Sequence, residues 1–444
     1  MILLITLTIT LLGSILALVL RPGAVIGVIF MANIFWPTYL RIPMGIAQMS
    51  APRIIAFVLL IRLLIKPHDK GIKFNWVDVL VVAGAIWQFA ANISLGANQS
   101  LFVYLIGLSL DTVLMYFVTR LSLKKVSDFK ALIVPLALCG IFLGPIGLLE
   151  TFNIWSPYEM LRAYDEFSWQ LSDSGRLGLT RAMASGSQFI FWGLTMLIVT
   201  GFLWSLRTLA EEEGTNKRSW IWLAGLIGGI LGVFSSVSSA PIGGLLLFVV
   251  INGFYWARPL IKSAIWSLVW LGVAFEIFSN RHFYHLITYV GLNGATAWYR
   301  TRLMEVAVQR LPEYWLFGFG GVTPDHWGRL IDGRKIVDPV NNYLIVAISS
   351  GLLGAIILLL IQIIVLNKII KLWKYGPEKL RKYAFTQGCL LLVLMLSSMS
   401  TGFFSVVLTL TYIFYGSIPN VKNRDIPGKS KSNQKIKGIT SLSG

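Results

Sequence analysis

Residues 343–366 read YLIVAISSGLLGAIILLLIQIIVL, and no side chain in this run carries a charge. A helix of about 20 apolar residues is long enough to cross the hydrocarbon core of a bilayer. Lipid gives the backbone no hydrogen-bond partner, so a segment that crosses it has to satisfy its own peptide groups as a helix. The run therefore predicts a transmembrane helix.

Similar apolar runs recur along the whole chain. Of its 444 residues, 56% are hydrophobic and only 13% are charged, whereas about 25% of a typical soluble domain is charged. We therefore expect an all-α integral membrane protein, a bundle of about 12–13 transmembrane helices. The count depends on the first span and on the two spans that meet near residues 235–241. The predicted spans are 1–20, 23–40, 48–65, 76–95, 100–120, 131–149, 187–206, 219–236, 241–256, 262–279, 343–366, 384–400 and 402–418.

Basic residues concentrate in alternate loops, and this pattern predicts the orientation of the chain. Short cytoplasmic loops of membrane proteins are enriched in lysine and arginine. The net charge of +18 therefore indicates topology and not nucleic-acid binding. The basic loops are 66–73, 120–130, 207–218, 258–262 and 367–382. The predicted arrangement is helices within 1–149, 188–279 and 343–418, external loops at 150–187 and 280–342, and a disordered basic cytoplasmic tail at 419–444.

The two external loops carry most of the side chains that can do chemistry. Outside the membrane, arginine needs a reason other than topology. One reason is binding to the diphosphate of a lipid-linked substrate, because guanidinium groups hold phosphate oxygens in a fork. The other is pairing with the nearby acids Asp165, Glu166, Asp173, Glu305 and Glu313. The arginines concerned are Arg176, Arg181, Arg300 and Arg302.

Other polar residues leave alternatives open. His326 is a candidate general base for a sugar hydroxyl, or a surface histidine with an ordinary hydrogen bond. Asp111 lies within an apolar span, where it is either a tether to a neighbouring helix or part of a proton path. Aromatic residues are dense in both loops and indicate either a glycan-binding groove or a membrane-interface belt.

The loop 280–342 is long enough to contain helices, and 297–314 is the best candidate. Helical spacing puts Arg300 on one stripe with Met304 and Ala307, while Arg302 falls on another face. The helix is expected to end near Leu311-Pro312. The glycines of 318–321 then predict a flexible turn.

Several short motifs occur in a characteristic order. Arg300 is followed by LFGFG at 316–320, by Asn341-x-Tyr343-Leu344, and by GLLG at 351–354. Upstream lie GRLG at 175–178 and SVSSAPIG at 236–243. Over about residues 100–415, this order resembles the O-antigen ligase and polymerase superfamily of polytopic membrane proteins.

The resemblance implies a metal-independent, inverting glycosyltransferase without a cofactor, on the outer face of a bacterial inner membrane. The donor would be a glycan on undecaprenyl diphosphate, and the acceptor hydroxyl would belong to another lipid-linked repeat unit. A flippase and a chain-length regulator would be partner proteins. Arg176 and Arg300 would engage the diphosphate. The expected catalytic residues are Arg300, His326 and Asp338, and the loop motif residues are Gly318, Gly320, Asn341 and Tyr343.

Three positions depart from the family pattern. Val340 stands where ligases of the family carry histidine, Trp315 stands where proline is usual, and Ser239 stands where an arginine is usual. Without that histidine, a polymerase for exopolysaccharide, capsule or O-antigen fits better than a ligase for lipopolysaccharide. The alternatives are a ligase that transfers finished glycan, and a flippase for lipid-linked glycan. His326 or Asp338 would then supply the polar contact that Val340 does not.

Overall fold

The computed structural model describes residues 1–45, 47–68, 74–96, 99–164, 175–210, 219–257, 294–320, 323–331, 337–376 and 378–418, with Gly333 and scattered residues between 263 and 277. Seven helices in this described part are long and apolar enough to cross a membrane. The architecture is that of an all-α membrane protein, as the composition predicts.

The helices pack against one another as a bundle. The helices are α1 (Ile2–Val19), α2 (Pro22–Phe35), α3 (Ala51–Ile65), α4 (Trp76–Ser94), α5 (Gln99–Ser109), α6 (Met115–Ser122), α7 (Val126–Lys130), α8 (Ile133–Thr151), α9 (Glu159–Arg162), α10 (Phe189–Ala210), α11 (Ser219–Ser235), α12 (Ser239–Gly253), α13 (Gly294–Gln309), α14 (Leu311–Tyr314), α15 (Asp325–Leu330), α16 (Asn342–Tyr375), α17 (Glu378–Ser400) and α18 (Ser405–Ser417). A π-helix at Leu110–Leu114 joins α5 to α6, and a 3-10 turn at Phe254–Ala257 follows α12.

A short hairpin between α2 and α3 departs from the all-helical expectation. Strands β1 (Arg41–Met44) and β2 (Ala47–Ser50) pair antiparallel, with Arg41 opposite Ser50. The predicted span 48–65 is therefore helical only from Ala51. Pro52 lies in the first turn of α3, where its missing N–H has no helical partner to lose.

Two glycine-lined helices, α8 and α11, approach each other closely. A Cβ atom added at Gly140 would lie 2.0 Å from the carbonyl oxygen of Gly225, and one at Gly144 would lie 2.0 Å from that of Gly228. Small residues of this kind let the backbones of membrane helices touch. Because the helices are held in fixed register, their C-terminal ends meet, and Thr151 donates to the Ser235 carbonyl at 2.8 Å.

The intramembrane acid Asp111 is a tether between helices. The Arg53 guanidinium of α3 donates to both of its oxygens, at 2.7 and 2.6 Å. Asp111 lies in the π-helix between α5 and α6. These contacts support the alternative in which Asp111 tethers a neighbouring helix.

The long helix α16 is broken at Ser350 and Gly351. Gly351 has φ 75° and ψ 174°, a backbone region that is essentially reserved for glycine. The break releases peptide groups on both sides, and the turn 315–319 binds them. Leu352 N–H donates to the Trp315 carbonyl at 2.8 Å, and Phe319 N–H donates to the Ile348 carbonyl at 2.5 Å. We call this junction of residues 315–319 with residues 348–352 the clasp.

Helix α4 closes the clasp from the other side. The Trp87 indole N–H donates to the Ser350 carbonyl at 2.7 Å, and the Trp87 ring stacks on Phe317 with centroids 5.8 Å apart. The glycine turn is therefore present, with φ 74° at both Gly318 and Gly320. It is packed between two helices and is not the free, flexible turn that was expected; Gly321 lies outside the described residues.

The helix predicted at 297–314 is divided in two. Helix α13 starts earlier, at Gly294, and the chain leaves it at Arg310. Pro312 then lies in the first turn of α14, since proline cannot continue the hydrogen-bond ladder of α13. The clasp follows directly and ties this segment to the bundle.

Candidate functional site

The positive charge of Arg176 acts on both Arg181 and Arg300, so these three predicted phosphate-binding arginines are neighbours, and we call them the arginine cluster. Arg176 begins a tight turn in which it and Leu179 exchange backbone hydrogen bonds of 2.9 and 3.0 Å. Leu177 and Gly178 both have positive φ, 57° and 75°. Two consecutive positive φ angles define a type I′ turn, which projects the Arg176 side chain from a narrow loop.

The loop carrying Arg181 is fastened by the ends of α8 and α11. The Glu150 carboxylate, buried at the end of α8, accepts from the N–H groups of Met183 and Ala184, each at 3.0 Å. It also forms an ion pair with Arg162. Ala182 N–H donates to the Ser235 carbonyl at 3.0 Å. These hydrogen bonds fix the position of the Arg181 segment at the ends of α8 and α11.

The Arg181 side chain reaches the break between α11 and α12. Its Nη2 atom donates to the Ser238 hydroxyl at 2.7 Å, and its guanidinium lies over the Phe189 ring, 3.2 Å from the centroid. The cation–π contact supports the charge without neutralising it. The serine-rich stretch at 236–243 thus contributes to the site through Ser238.

Arg300 is placed by its neighbour on α13. The Tyr299 hydroxyl donates to the Asp338 carbonyl at 2.8 Å and accepts from the Asp338 N–H at 3.0 Å. This double contact ties α13 to the segment that leads into α16. The Nε atoms of Arg300 and Arg181 are buried and have no hydrogen-bond partner among the described residues.

The arginine cluster holds positive charge without a countercharge from the described chain. Burial and then the charge of Arg176 lower the pKa of Arg181 to about 10. The same two causes, in the same order, lower the pKa of Arg300. Arginine side chains are cationic at neutral pH. No acid in the described residues forms an ion pair with any of the three cluster arginines; the expected partners Asp165, Glu166 and Asp173 lie outside those residues.

The other two expected acids are bound elsewhere. Glu305 pairs with Arg302 at 2.8 Å, and Glu313 pairs with Arg310 at 3.0 Å. Like charges that approach without compensation raise the free energy of the protein unless an anion binds among them. Of the four predicted phosphate-binding arginines, the acid-pairing alternative therefore describes Arg302, and the arrangement of the arginine cluster suits an anionic group.

Arg302 does not contact the cluster. Its Nη1 atom binds Glu305, and its Nε atom donates to the Leu330 carbonyl at 3.2 Å. The separation of Arg300 and Arg302 on different faces of the helix agrees with the predicted spacing. A diphosphate role for Arg302 remains a prediction, and its contacts in the described chain do not support that role.

His326 and Asp338 have different surroundings. His326 Nε2 lies 2.8 Å from Glu313 on a half-exposed surface, which matches the ordinary surface alternative. Asp338 is an exposed residue, its carboxylate has no hydrogen-bond or ion-pair partner in the described chain, and desolvation by the protein around it raises its pKa. Because the Asp338 backbone is bound to Tyr299, this carboxyl is held close in space to the helix that presents Arg300.

The remaining motif residues have structural contacts. Asn341 caps α16, since its side-chain oxygen accepts from Tyr343 N–H at 2.9 Å and Leu344 N–H at 3.2 Å. The Tyr343 hydroxyl donates to Gln362 at 2.8 Å. Gly318 fits the clasp because a Cβ there would lie 2.3 Å from the Ile348 carbonyl oxygen.

Some residues at the site were not singled out as ligands by sequence alone. The serine-rich stretch at 236–243 pointed to Ser238, and the position of Glu150 at the end of an apolar span pointed to that carboxylate. Phe189 and Trp87 had none, because an aromatic residue in an apolar helix is ordinary. Their roles follow only from tertiary contacts.

No family model matches this chain, and no curated protein matches it. Its function is therefore inferred from the arrangement of its own side chains.

Proposed function

We propose that this protein polymerises oligosaccharide repeat units linked to undecaprenyl diphosphate, at the external face of the bacterial inner membrane. The observation that carries the proposal is the arginine cluster, three guanidinium groups from two separate loops with no described acid among them. The proposed topology has about 12–13 helices, external loops at 150–187 and 280–342, and a cytoplasmic tail at 419–444.

In the proposed reaction, the acceptor hydroxyl attacks the anomeric carbon of the donor glycan. The bond from that carbon to the diphosphate oxygen breaks, and the new glycosidic bond forms with inversion. The departing diphosphate takes the electron pair, and Arg176, Arg181 and Arg300 stabilise its charge. The hydroxyl proton passes to a base, for which the Asp338 carboxylate is the better-placed candidate.

The location of the cluster favours an enzyme over a flippase. A flippase needs charged groups along a cavity that is exposed in turn to both sides of the membrane. Here the arginines lie at one end of the bundle, fixed by Glu150, by the Ser235 carbonyl and by the clasp. The valine at 340, where ligases of the similar superfamily have histidine, favours the polymerase over the ligase.

Alanine substitutions test the arginine assignment in cells. Arg176→Ala and Arg300→Ala are expected to abolish chain extension while the protein remains in the membrane at wild-type amounts, as judged by immunoblot. Arg310→Ala is the matched control, because Arg310 forms a half-exposed pair with Glu313 on the same loop. Wild-type glycan lengths in both cluster variants would refute the assignment.

The intermediate that accumulates without the protein distinguishes the three functions. A polymerase defect leaves single repeat units on the carrier, facing outward. Units trapped on the cytoplasmic face would identify a flippase, and polymer that is made but not attached would identify a ligase. Accessibility of the lipid-linked units to an impermeant glycosidase in intact spheroplasts separates these outcomes.

A further inference from the structure

The tip of the Arg176 turn is unusual in two independent ways. Leu177 has φ 57°, a left-handed conformation that side chains other than glycine and asparagine rarely adopt. Its side chain is also 87% exposed. A leucine that is both strained and uncovered has no stabilising role within the described fold.

Leu177 does not stand alone. Phe152, Ile154 and Trp155, just after α8, are 60%, 69% and 56% exposed. The two segments are joined, because the Thr180 hydroxyl donates to the Asn153 side chain at 2.8 Å and Thr180 N–H donates to the Thr151 carbonyl at 3.2 Å. Phe152, Ile154, Trp155 and Leu177 thus lie exposed on two joined segments beside Arg176, and we call these four side chains the apolar rim.

We infer that this apolar rim inserts into the headgroup region of the bilayer and sets Arg176 at the level of the lipid phosphates. The rim continues directly from Val126–Thr151, which is long and apolar enough to span a membrane, so it lies where that span leaves the lipid. Tryptophan with aliphatic side chains, next to an arginine, is the composition of an interfacial anchor. A protein partner would give no reason for this continuity with a spanning helix.

The position of the apolar rim suggests the route by which a lipid-linked donor reaches the arginine cluster. A carrier lipid diffusing in the leaflet brings its diphosphate to the depth of the rim, so it reaches Arg176 first and then Arg181 and Arg300. This use of the rim rests on the proposed transferase function. The contact of the rim with lipid does not, and the two can be tested separately.

A fluorescent probe at position 177 tests the contact with lipid. Both native cysteines are buried, so Leu177→Cys in the full chain can be labelled selectively with an environment-sensitive dye. The labelled protein is reconstituted alone in phosphatidylcholine–phosphatidylglycerol vesicles. We expect blue-shifted emission, loss of intensity with a doxyl group near the top of the acyl chain, and protection from aqueous iodide.

Two reference positions calibrate this result. Phe142→Cys, on an exposed face of α8, should be quenched by lipid-borne doxyl groups, and Val308→Cys, on α13, should be quenched by iodide. A probe at 177 that behaves like the Val308 probe would overturn the inference. Quenching by iodide that is relieved only when a membrane extract is added would also overturn it, in favour of a protein partner.

Leu177→Asn tests what the rim does for the reaction. Asparagine adopts positive φ readily, so the turn is preserved while the apolar tip is removed. With lipid-linked donor we expect KM to rise about tenfold and kcat to change little, because a side chain of leucine size is no longer buried in lipid. If the probe lies in lipid but no transfer occurs with any variant, the membrane contact stands and the proposed function fails.

Discussion

Gly351→Ala perturbs the clasp at its tightest point. Gly351 has φ 75° and ψ 174°, a conformation that costs other residues about 1–3 kcal/mol. An alanine methyl group would also lie 1.9 Å from the Leu316 carbonyl oxygen, which is far inside van der Waals contact. The turn 315–319 must therefore move away from α16.

Moving the turn breaks both backbone hydrogen bonds of the clasp. Each contributes about 1 kcal/mol net, so together with the backbone strain the cost of keeping the clasp closed rises by about 3–5 kcal/mol. At about 1.4 kcal/mol for each factor of ten, the opening equilibrium increases by at least about a hundredfold.

Hydrogen–deuterium exchange of the purified protein measures this opening at two amides. We expect the N–H groups of Phe319 and Leu352 to lose protection by about a hundredfold or more. Gly243→Ala on α12 is the matched control, because a Cβ atom there meets nothing within 4 Å. Unchanged protection at Phe319 and Leu352 in a folded Gly351→Ala variant would refute the clasp as described.

Three further substitutions test other contacts. Glu150→Gln removes one charge of a buried ion pair, so we expect a loss of about 3–5 kcal/mol and faster exchange at the amides of Met183 and Ala184; full retention of protection there would contradict the anchor. Arg302→Ala loses a partly exposed pair worth below about 1 kcal/mol, so glycan lengths and thermal stability should stay close to wild type, and lost extension at normal stability would return Arg302 to the diphosphate site. The raised pKa of Asp338 predicts that the transfer rate falls as the pH drops through a value above the ordinary 3.8, because a protonated carboxyl cannot accept a proton. The pH–rate profile of Asp338→Asn should lack this acidic limb.

Much of the helical architecture follows from the sequence because lipid leaves a spanning backbone few choices. The uncharged run at 343–366 lies within α16, and helical spacing correctly separates Arg300 from Arg302. The break at Gly351 was not predicted, since a single glycine in a long apolar run is common in membrane helices. The break is required by the packing of the turn 315–319 against α16, and this turn is close in space but does not belong to the same span.

The candidate site was predictable as a set of arginines but not as a cluster. Arg176 and Arg181 stand more than a hundred positions from Arg300, and nothing in their local pattern requires contact. They approach because Glu150 and the Ser235 carbonyl hold one loop, while Tyr299 and the clasp hold the other. The hairpin at 41–50 was missed for a similar reason: its residues lie between two apolar spans that mask a short extended segment.

Reconstitution tests the central claim most directly. The purified protein is placed in vesicles with lipid-linked repeat units extracted from cells that lack it, and products are separated by size. The account predicts glycans longer by whole repeat units, released diphosphate carrier in matching amount, loss of both with Arg300→Ala, and retention of both with Arg310→Ala. Folded protein that binds the vesicles but yields no longer glycan, or extension that persists in Arg300→Ala, would contradict it.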